Sequence, residues 1–261
     1  PIRVFALGLT RLLLRGASLG HLPPSARRAV RQASRLGLSP DEQADEAAID
    51  QLRTRLAASD AEVEVVDHGA GTGRGDKPLR RHVAEVYRRA ATGPVWGRFL
   101  YGLVRAHRPH RVLELGTNLG VGAAHLASAL ARTHTEAGVD GRLVTLEGAP
   151  GYAALARRHM DALRLGDRVE VVVGPFSETL ASVCEGHGPF DLVFVDGHHE
   201  EATALRYVTQ IRPHLAPGAL VVLDDVEPGR PVRRAWARLA QSAEGSAWLG
   251  KYGLLVFARG E

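Results

Sequence analysis

From residue 111 onward the chain alternates short, continuous apolar runs with amphipathic stretches, and few folds can use such a pattern. The runs are Arg111–Leu115, Leu143–Leu146, Val169–Val173, Leu192–Val195, Leu220–Leu223 and Leu254–Phe257. Unbroken Val/Leu runs predict strands covered on both faces, hence a mostly parallel sheet with helices on each side. The stretches between them, about a dozen residues each, are long enough for right-handed helical crossovers. Only a short spacer separates Trp248 from the last run, which predicts a hairpin and an antiparallel final strand.

The first part of the chain has a different texture. Residues 1–60 are rich in Arg, Ala and Leu, contain no strand-like run, and are broken at Pro23-Pro24 and Ser39-Pro40. Ser39-Pro-Asp-Glu42 reads as a helix start, with a capping serine, proline in the first turn and acids following, and that helix is predicted to run towards Leu56. His68-Gly-Ala-Gly-Thr-Gly-Arg-Gly75 predicts a flexible loop, a candidate lid, followed by a helix over Leu79–Ala90. The apolar start, Val4–Leu14, is interrupted by Arg11 and is too short to span a bilayer, so a docked amphipathic helix is favoured over a membrane anchor.

Composition excludes little but sets expectations. Hydrophobic residues at 45% and charged residues at 24% describe an ordinary globular chain. The net charge of +4 rests almost entirely on arginine, since Lys77 and Lys251 are the only lysines. Those arginines are scattered over predicted helices, so nucleic acid is not favoured as a partner. Cys184 is the only cysteine; no internal disulfide can form, and a cytoplasmic location is the default expectation.

The run Val112-Leu-Glu-Leu115 leads straight into Gly116-Thr-Asn-Leu-Gly120 and then a helix over Val121–Arg132. A strand, a glycine turn and a helix N-terminus form a nucleoside pocket at the carboxyl edge of a parallel sheet. The spacing G-x-x-x-G-x-G is not the G-x-G-x-x-G of dinucleotide sites. Glu114 suits a cationic ligand and would repel phosphates, while Glu147, ending the next run, is placed to accept hydrogen bonds from a ribose diol. A cationic nucleoside with a free diol describes S-adenosylmethionine.

On these residues the chain resembles the class I S-adenosylmethionine-dependent O-methyltransferases, in particular the bacterial catechol O-methyltransferase-like group. The segments that carry the resemblance are Val112–Ala127, Leu143–Gly148, Val169–Ser177, Phe190–Glu200 and Ala219–Val226, with Gly69-Ala-Gly-Thr72 upstream and Ala235-Trp236 after Asp224-Asp225. It extends over roughly residues 45–260. It implies a Rossmann-like, doubly wound seven-stranded α/β sheet, mostly parallel with an antiparallel last strand. Residues 1–75 would be an N-terminal helical extension ending in the glycine-rich loop, and residues 76–261 the methyltransferase domain. It also implies site roles. Glu114 would hold the methionine ammonium directly or through water, beside Gly116, Thr117, Asn118 and Gly120. Glu147 and Gly148 would take the ribose, Phe176 and Ser177 would border the adenine, and Asp196 would meet the cofactor. Gly122 departs from the pattern, since catechol enzymes often place a serine there.

Asp196 ends the fourth of these runs and Asp224-Asp225 the fifth. In neighbouring strands such ends lie about 5 Å apart, so the carboxylates converge. Three hard oxygen ligands suit Mg²⁺ or Mn²⁺, which lowers the pKa of a bound hydroxyl. Similar aspartate triplets occur in metal-dependent sugar O-methyltransferases. The alternative is that Asp225 caps a helix and Asp196 bonds cofactor or backbone, without a metal. In the related families a base lies two or three residues beyond the first aspartate; both offsets here hold histidine, with His198 favoured and His199 its rival. The expected partner is a small hydroxylated molecule. A non-hydroxyl or macromolecular acceptor, a nucleotide-dependent oxidoreductase and a non-catalytic cofactor-binding protein are the competing readings. Related enzymes are often dimers, and the chain carries no signal that decides between monomer and homodimer.

Overall fold

Parallel strands joined by helices need a sheet with both faces covered, and that is what the chain builds. The computed structural model describes residues 19–34, 37–65 and 79–258; Val4–Leu14 and the loop Gly69–Gly75 lie outside the described residues. Helices α1 (Pro24–Ala33) and α2 (Pro40–Ala57) come first, followed by strands β1 (Glu62–Val65) and β2 (Leu79–His82) and helices α3 (Val83–Ala90) and α4 (Pro94–His107). The alternating part then runs β3 (Arg111–Leu115), α5 (Val121–Ala137), β4 (Arg142–Glu147), α6 (Pro150–Ala162), β5 (Val169–Val173) and α7 (Phe176–His187). It continues with β6 (Phe190–Val195), α8 (Glu201–Ile211), β7 (Leu215–Leu223), α9 (Pro231–Leu239), β8 (Gly245–Trp248) and β9 (Gly253–Val256).

Seven of the strands form one sheet in the order β5-β4-β3-β6-β7-β9-β8. All pairings from β5 to β7 are parallel, and β9 is antiparallel to both β7 and β8. The seven-stranded, doubly wound, mostly parallel sheet expected from the sequence is therefore present. The chain begins in the middle at β3, winds outward to β5, then returns to β6 on the other side. This reversal between β3 and β6 opens a crevice at the strands' carboxyl ends, where ligands bind in open α/β sheets. Register aligns Leu115 with Val195 and Val195 with Leu223, so the residues that follow, Gly116, Asp196 and Asp224, stand side by side.

The sheet separates two apolar layers. Val112, Phe194, Val222 and Leu254 meet α1, α2, α4 and α5 on one face; Leu113, Val193, Val221 and Leu255 meet α7, α8 and α9 on the other. Each fully buried Leu, Val or Phe contributes roughly 1.5–3 kcal/mol. At the start of α2 the capping box forms as the sequence predicts: Glu42 N–H donates to Ser39 Oγ (3.2 Å) and Ser39 N–H to Glu42 Oε2 (2.9 Å).

Two local expectations are corrected. The helix predicted over Leu79–Ala90 starts only at Val83, because Leu79–His82 pairs antiparallel with Glu62–Val65 and Arg80 faces Glu62 at 3.4 Å. A short strand whose side chains alternate in exposure is hard to tell from a helical first turn until its partner is known. The helix after the glycine turn also continues beyond Arg132, to Ala137. Among the described residues no helix is long and apolar enough to cross a membrane.

Candidate active site

A cavity of about 680 Å³ opens at the crevice. The carboxyl ends of β3, β4, β6 and β7 form its floor, and α3 with the link Ala91-Thr92 walls one side. Its depth depends on the glycine turn. Gly116 has φ +104°, and its N–H and that of Thr117 donate to Leu146 O at 3.0 and 3.2 Å. A Cβ at Gly116 would lie 2.2 Å from the Asp196 carbonyl oxygen, so only glycine lets β3 and β6 end this close together.

Glu147 is the best-held acid of the turn. The Asn118 N–H donates to its Oε2 at 2.7 Å and the Ala149 N–H to its Oε1 at 2.8 Å. Asn118 can aim its amide this way because it adopts the left-handed region, φ 48°. Gly148 and Phe176 line the same cavity as Glu147.

Four expected cofactor residues stand off the wall. Glu114 is 1% exposed and lies beneath the turn, accepting from Thr145 Oγ1 at 2.6 Å. Thr117 is buried against the same Thr145 hydroxyl at 2.5 Å. Gly120 packs against Ala156 and Met160, and the Ser177 side points to solvent. These positions shape the turn rather than face the cavity, since the glycine spacing that marks it also serves helix packing. At Gly122 a Cβ would lie 2.6 Å from Glu114 Oε1, so a serine there would require the Glu114 carboxyl to shift.

Burial pushes the Glu114 carboxyl up to about 8; the Glu147 charge adds to this and the Thr145 hydrogen bond opposes it. The folded protein thus keeps a proton that the unfolded chain releases from about pH 4.5, so Glu114's contribution to stability is lost as pH rises through that window. Melting curves should show wild type losing stability between pH 5 and pH 8 relative to Glu114→Gln, by roughly 1.4 kcal/mol or more. Parallel curves would assign Glu114 an ordinary titration.

The acids at the ends of β6 and β7 converge as predicted. Asp224 is 4% exposed and its Oδ1 accepts from the Asp225 N–H at 2.6 Å. Burial and the neighbouring Asp224 charge push the Asp196 carboxyl well up. A residue that sequence reasoning passed over joins them. Lys251, in the hairpin between β8 and β9, donates from Nζ to Asp224 Oδ1 and to Asp225 Oδ1, the second at 2.7 Å. Its ammonium overcomes the effect of burial and holds Asp225 below the usual carboxylate range. The one signal available was its rarity in an arginine-dominated chain.

The carboxylates expected to ligate Mg²⁺ or Mn²⁺ are thus partly engaged by an ammonium. Among the described residues no group of three acid, histidine or cysteine side chains is arranged to hold a metal ion. As it stands, the donor set does not fit a divalent cation.

The two histidines separate. His198 has φ 51° and turns towards α8, with Nδ1 3.2 Å from the Tyr207 hydroxyl and its ring edge-on to Phe176. His199 faces the acids, Nδ1 3.5 Å from Asp225 Oδ2 and Nε2 4.0 Å from Asp196 Oδ1. Both line the cavity, and the imidazole beside the carboxylates is that of His199. Sequence offset could not decide this, because the backbone flip at residue 198 sets which ring turns inward. Thr92, Arg81, Arg89, Tyr152 and Arg230 complete the wall. Trp96 does not join them; it packs on Tyr252, ring centroids 4.6 Å apart.

Residues 113–226 match the family described as a methyltransferase domain. A catechol O-methyltransferase of Mycobacterium tuberculosis is 40% identical over 141 residues, 54% of this chain and 59% of that protein. A probable O-methyltransferase of the same organism is 34% identical over 200 residues, 72% of this chain and 80% of that protein. The O-methyltransferase TomG of Streptomyces achromogenes, solved with S-adenosylmethionine, superposes with a TM-score of 0.53 at 28% identity, covering 64% of this chain and 82% of that one. The chain spans less than three fifths of the length of the two bacterial catechol O-methyltransferases it matches, 59% and 58%.

Proposed function

The chain belongs to the class I S-adenosylmethionine-dependent O-methyltransferases, and on that footing we propose that it transfers a methyl group from S-adenosylmethionine to a hydroxyl of a small molecule. The observation that carries the reading is one cavity lined by both a nucleoside cradle (Gly116, Asn118, Glu147) and an acid–histidine cluster (Asp196, His199, Asp224, Asp225). The cradle suits the cofactor: a glycine turn at the end of β3 opens on the cavity, and the Glu147 carboxylate is fixed on its wall by the Asn118 and Ala149 N–H groups.

The cofactor supplies an electrophilic methyl group on a sulfonium. Glu147 and Gly148 hold the ribose, Phe176 borders the adenine, and Asp196 on the cavity wall meets the cofactor beside them. Glu114 supports the turn from beneath, through its hydrogen bond from the Thr145 hydroxyl. His199, kept in place by Asp196 and Asp225, takes the proton of the acceptor hydroxyl as the oxygen–carbon bond forms and the carbon–sulfur bond breaks with its pair left on sulfur. The expected divalent metal enters no step here, because Lys251 stands among its ligands. Catechol-like phenols and other small hydroxylated molecules are the acceptors to test first.

His199→Ala should lower kcat by about 10²–10⁴ while leaving S-adenosylhomocysteine affinity within about threefold, and His198→Ala should cost much less. Equal turnover in His199→Ala would remove it from the reaction. The function itself is tested by thermal shift with S-adenosylmethionine, S-adenosylhomocysteine and NAD, followed by a cofactor-consumption screen of phenols and sugars. Stabilisation by the first two and turnover of a hydroxylated compound are expected. Stabilisation by NAD alone would overturn the reading, and turnover confined to amines or macromolecules would move it to another acceptor class.

A further inference from the structure

We propose that Lys251 is the resident cation of the acceptor site, its ammonium taking the position that a divalent metal would need between Asp224 and Asp225. Three independent features support the assignment. The ammonium bridges one oxygen of each carboxylate, and its side chain is 22% exposed, on the cavity wall rather than free in solvent. Its backbone is tied down, since the Val226 N–H donates to Lys251 O at 2.8 Å and so fastens the hairpin to the residue just after Asp225. The residue type also fits the geometry. Of 33 basic residues nearly all are arginine, yet the residue between two adjacent carboxylates is a lysine. An ammonium is a compact point charge, and a planar guanidinium fork would need a wider gap.

The consequence is competition for one place. A divalent ion bound to these oxygens would stand about 2.1 Å from each, within a few ångströms of the ammonium. Two cations that close repel strongly where solvent is scarce, so the metal enters only if Lys251 leaves. Asp225 is already shared with Arg230, 3.6 Å away, and with His199, which leaves little negative charge for a third partner. With Lys251 in place, the ammonium steadies the acceptor oxygen as its proton passes to His199, and keeps its own proton throughout. That last statement rests on the proposed methyl transfer; the exclusion of metal does not.

The experiment is a titration of the full chain, stripped with EDTA and dialysed, with Mn²⁺ and separately Mg²⁺, with and without S-adenosylhomocysteine. Calorimetry and loss of the free Mn²⁺ electron-resonance signal are the readouts. Wild type should show no Asp224-dependent site below about 1 mM. Lys251→Met and Lys251→Gln should each gain a Mn²⁺ site at least roughly tenfold tighter, lost again when Asp224→Asn is added. Tight Mn²⁺ binding by wild type that Asp224→Asn abolishes would overturn the proposal without recourse to a Lys251 variant. So would folded Lys251 variants that bind no better than wild type. A chain with the expected metal pattern that binds no S-adenosylhomocysteine would lose the methyltransferase reading and keep this one; tight binding of both ligands by wild type would do the reverse.

Discussion

Gly116→Ala is expected to abolish S-adenosylhomocysteine binding and to cost most of the stability margin. The added Cβ would lie 2.2 Å from the Asp196 carbonyl oxygen, a backbone atom that cannot swing aside, and a φ of +104° is strained for any L side chain. Strain and overpacking together amount to roughly 3–5 kcal/mol, against a total stability of about 5–15 kcal/mol. Relief requires β3 and β6 to part at their carboxyl ends, which would draw Gly116 and the cradle away from Asp196 and the acids beside it. Urea denaturation and calorimetry with S-adenosylhomocysteine measure both effects. A variant that binds within about threefold of wild type and loses less than about 1 kcal/mol would show that the turn tolerates a side chain, and the cradle would lose its main support.

The second large effect is expected far from the cavity, at Glu46 on α2. His125, 1% exposed on α5, has Nδ1 3.2 Å from Glu46 Oε1 and Nε2 3.0 Å from Arg53 Nη2, while Arg98 on α4 reaches Glu46 Oε2 at 3.4 Å. Arg53 donating to Nε2 leaves the imidazole proton on Nδ1, facing Glu46. Burial pushes His125 below its ordinary value, and His125 and Arg98 hold Glu46 low in spite of its own burial. Glu46→Ala removes the buried carboxylate of this group and leaves only the exposed Asp50, 3.9 Å from Arg53, which costs about 3–5 kcal/mol, because charges left unpaired inside a protein are worse than none. Glu46→Gln, which keeps a hydrogen-bond acceptor, should cost less. Limited proteolysis adds a second readout: Glu46→Ala should be cut faster in α2, which Glu46 ties to the helix following the glycine turn. Denaturation within about 0.5 kcal/mol of wild type would mean that apolar packing of Ile49, Leu52 and Leu56 alone holds α2.

The main sheet was legible in the sequence because buried parallel strands must be continuously apolar, and the runs at Arg111–Leu115 and Leu220–Leu223 carry no competing helical period. The small sheet was not legible. Glu62–Val65 and Leu79–His82 are four residues each, and each is defined only by the other across the intervening chain. At the cavity, Gly116, Glu147 and Asp196 could be read because each ends a strand, and strand ends in a doubly wound sheet share one edge. The strand that carries Glu114 was legible, but not the direction of its side chain, which turns beneath the cradle to Thr145. His125 carries no motif that singles it out, yet it is the centre of a buried ionic group drawn from three helices.

The sequence alone determined the sheet, its helical cover, the glycine turn and the carboxylates at one edge, all of which follow from local hydrophobic periodicity and from where a strand stops. Only the tertiary structure decided which groups meet there. Lys251 lies 26 residues from Asp225 in the chain and 2.7 Å from it in space. His199 rather than His198 faces the acids because one residue adopts the left-handed region. Contacts between the ends of distant strands depend on register and backbone direction, and neither is written in the pattern of any single segment.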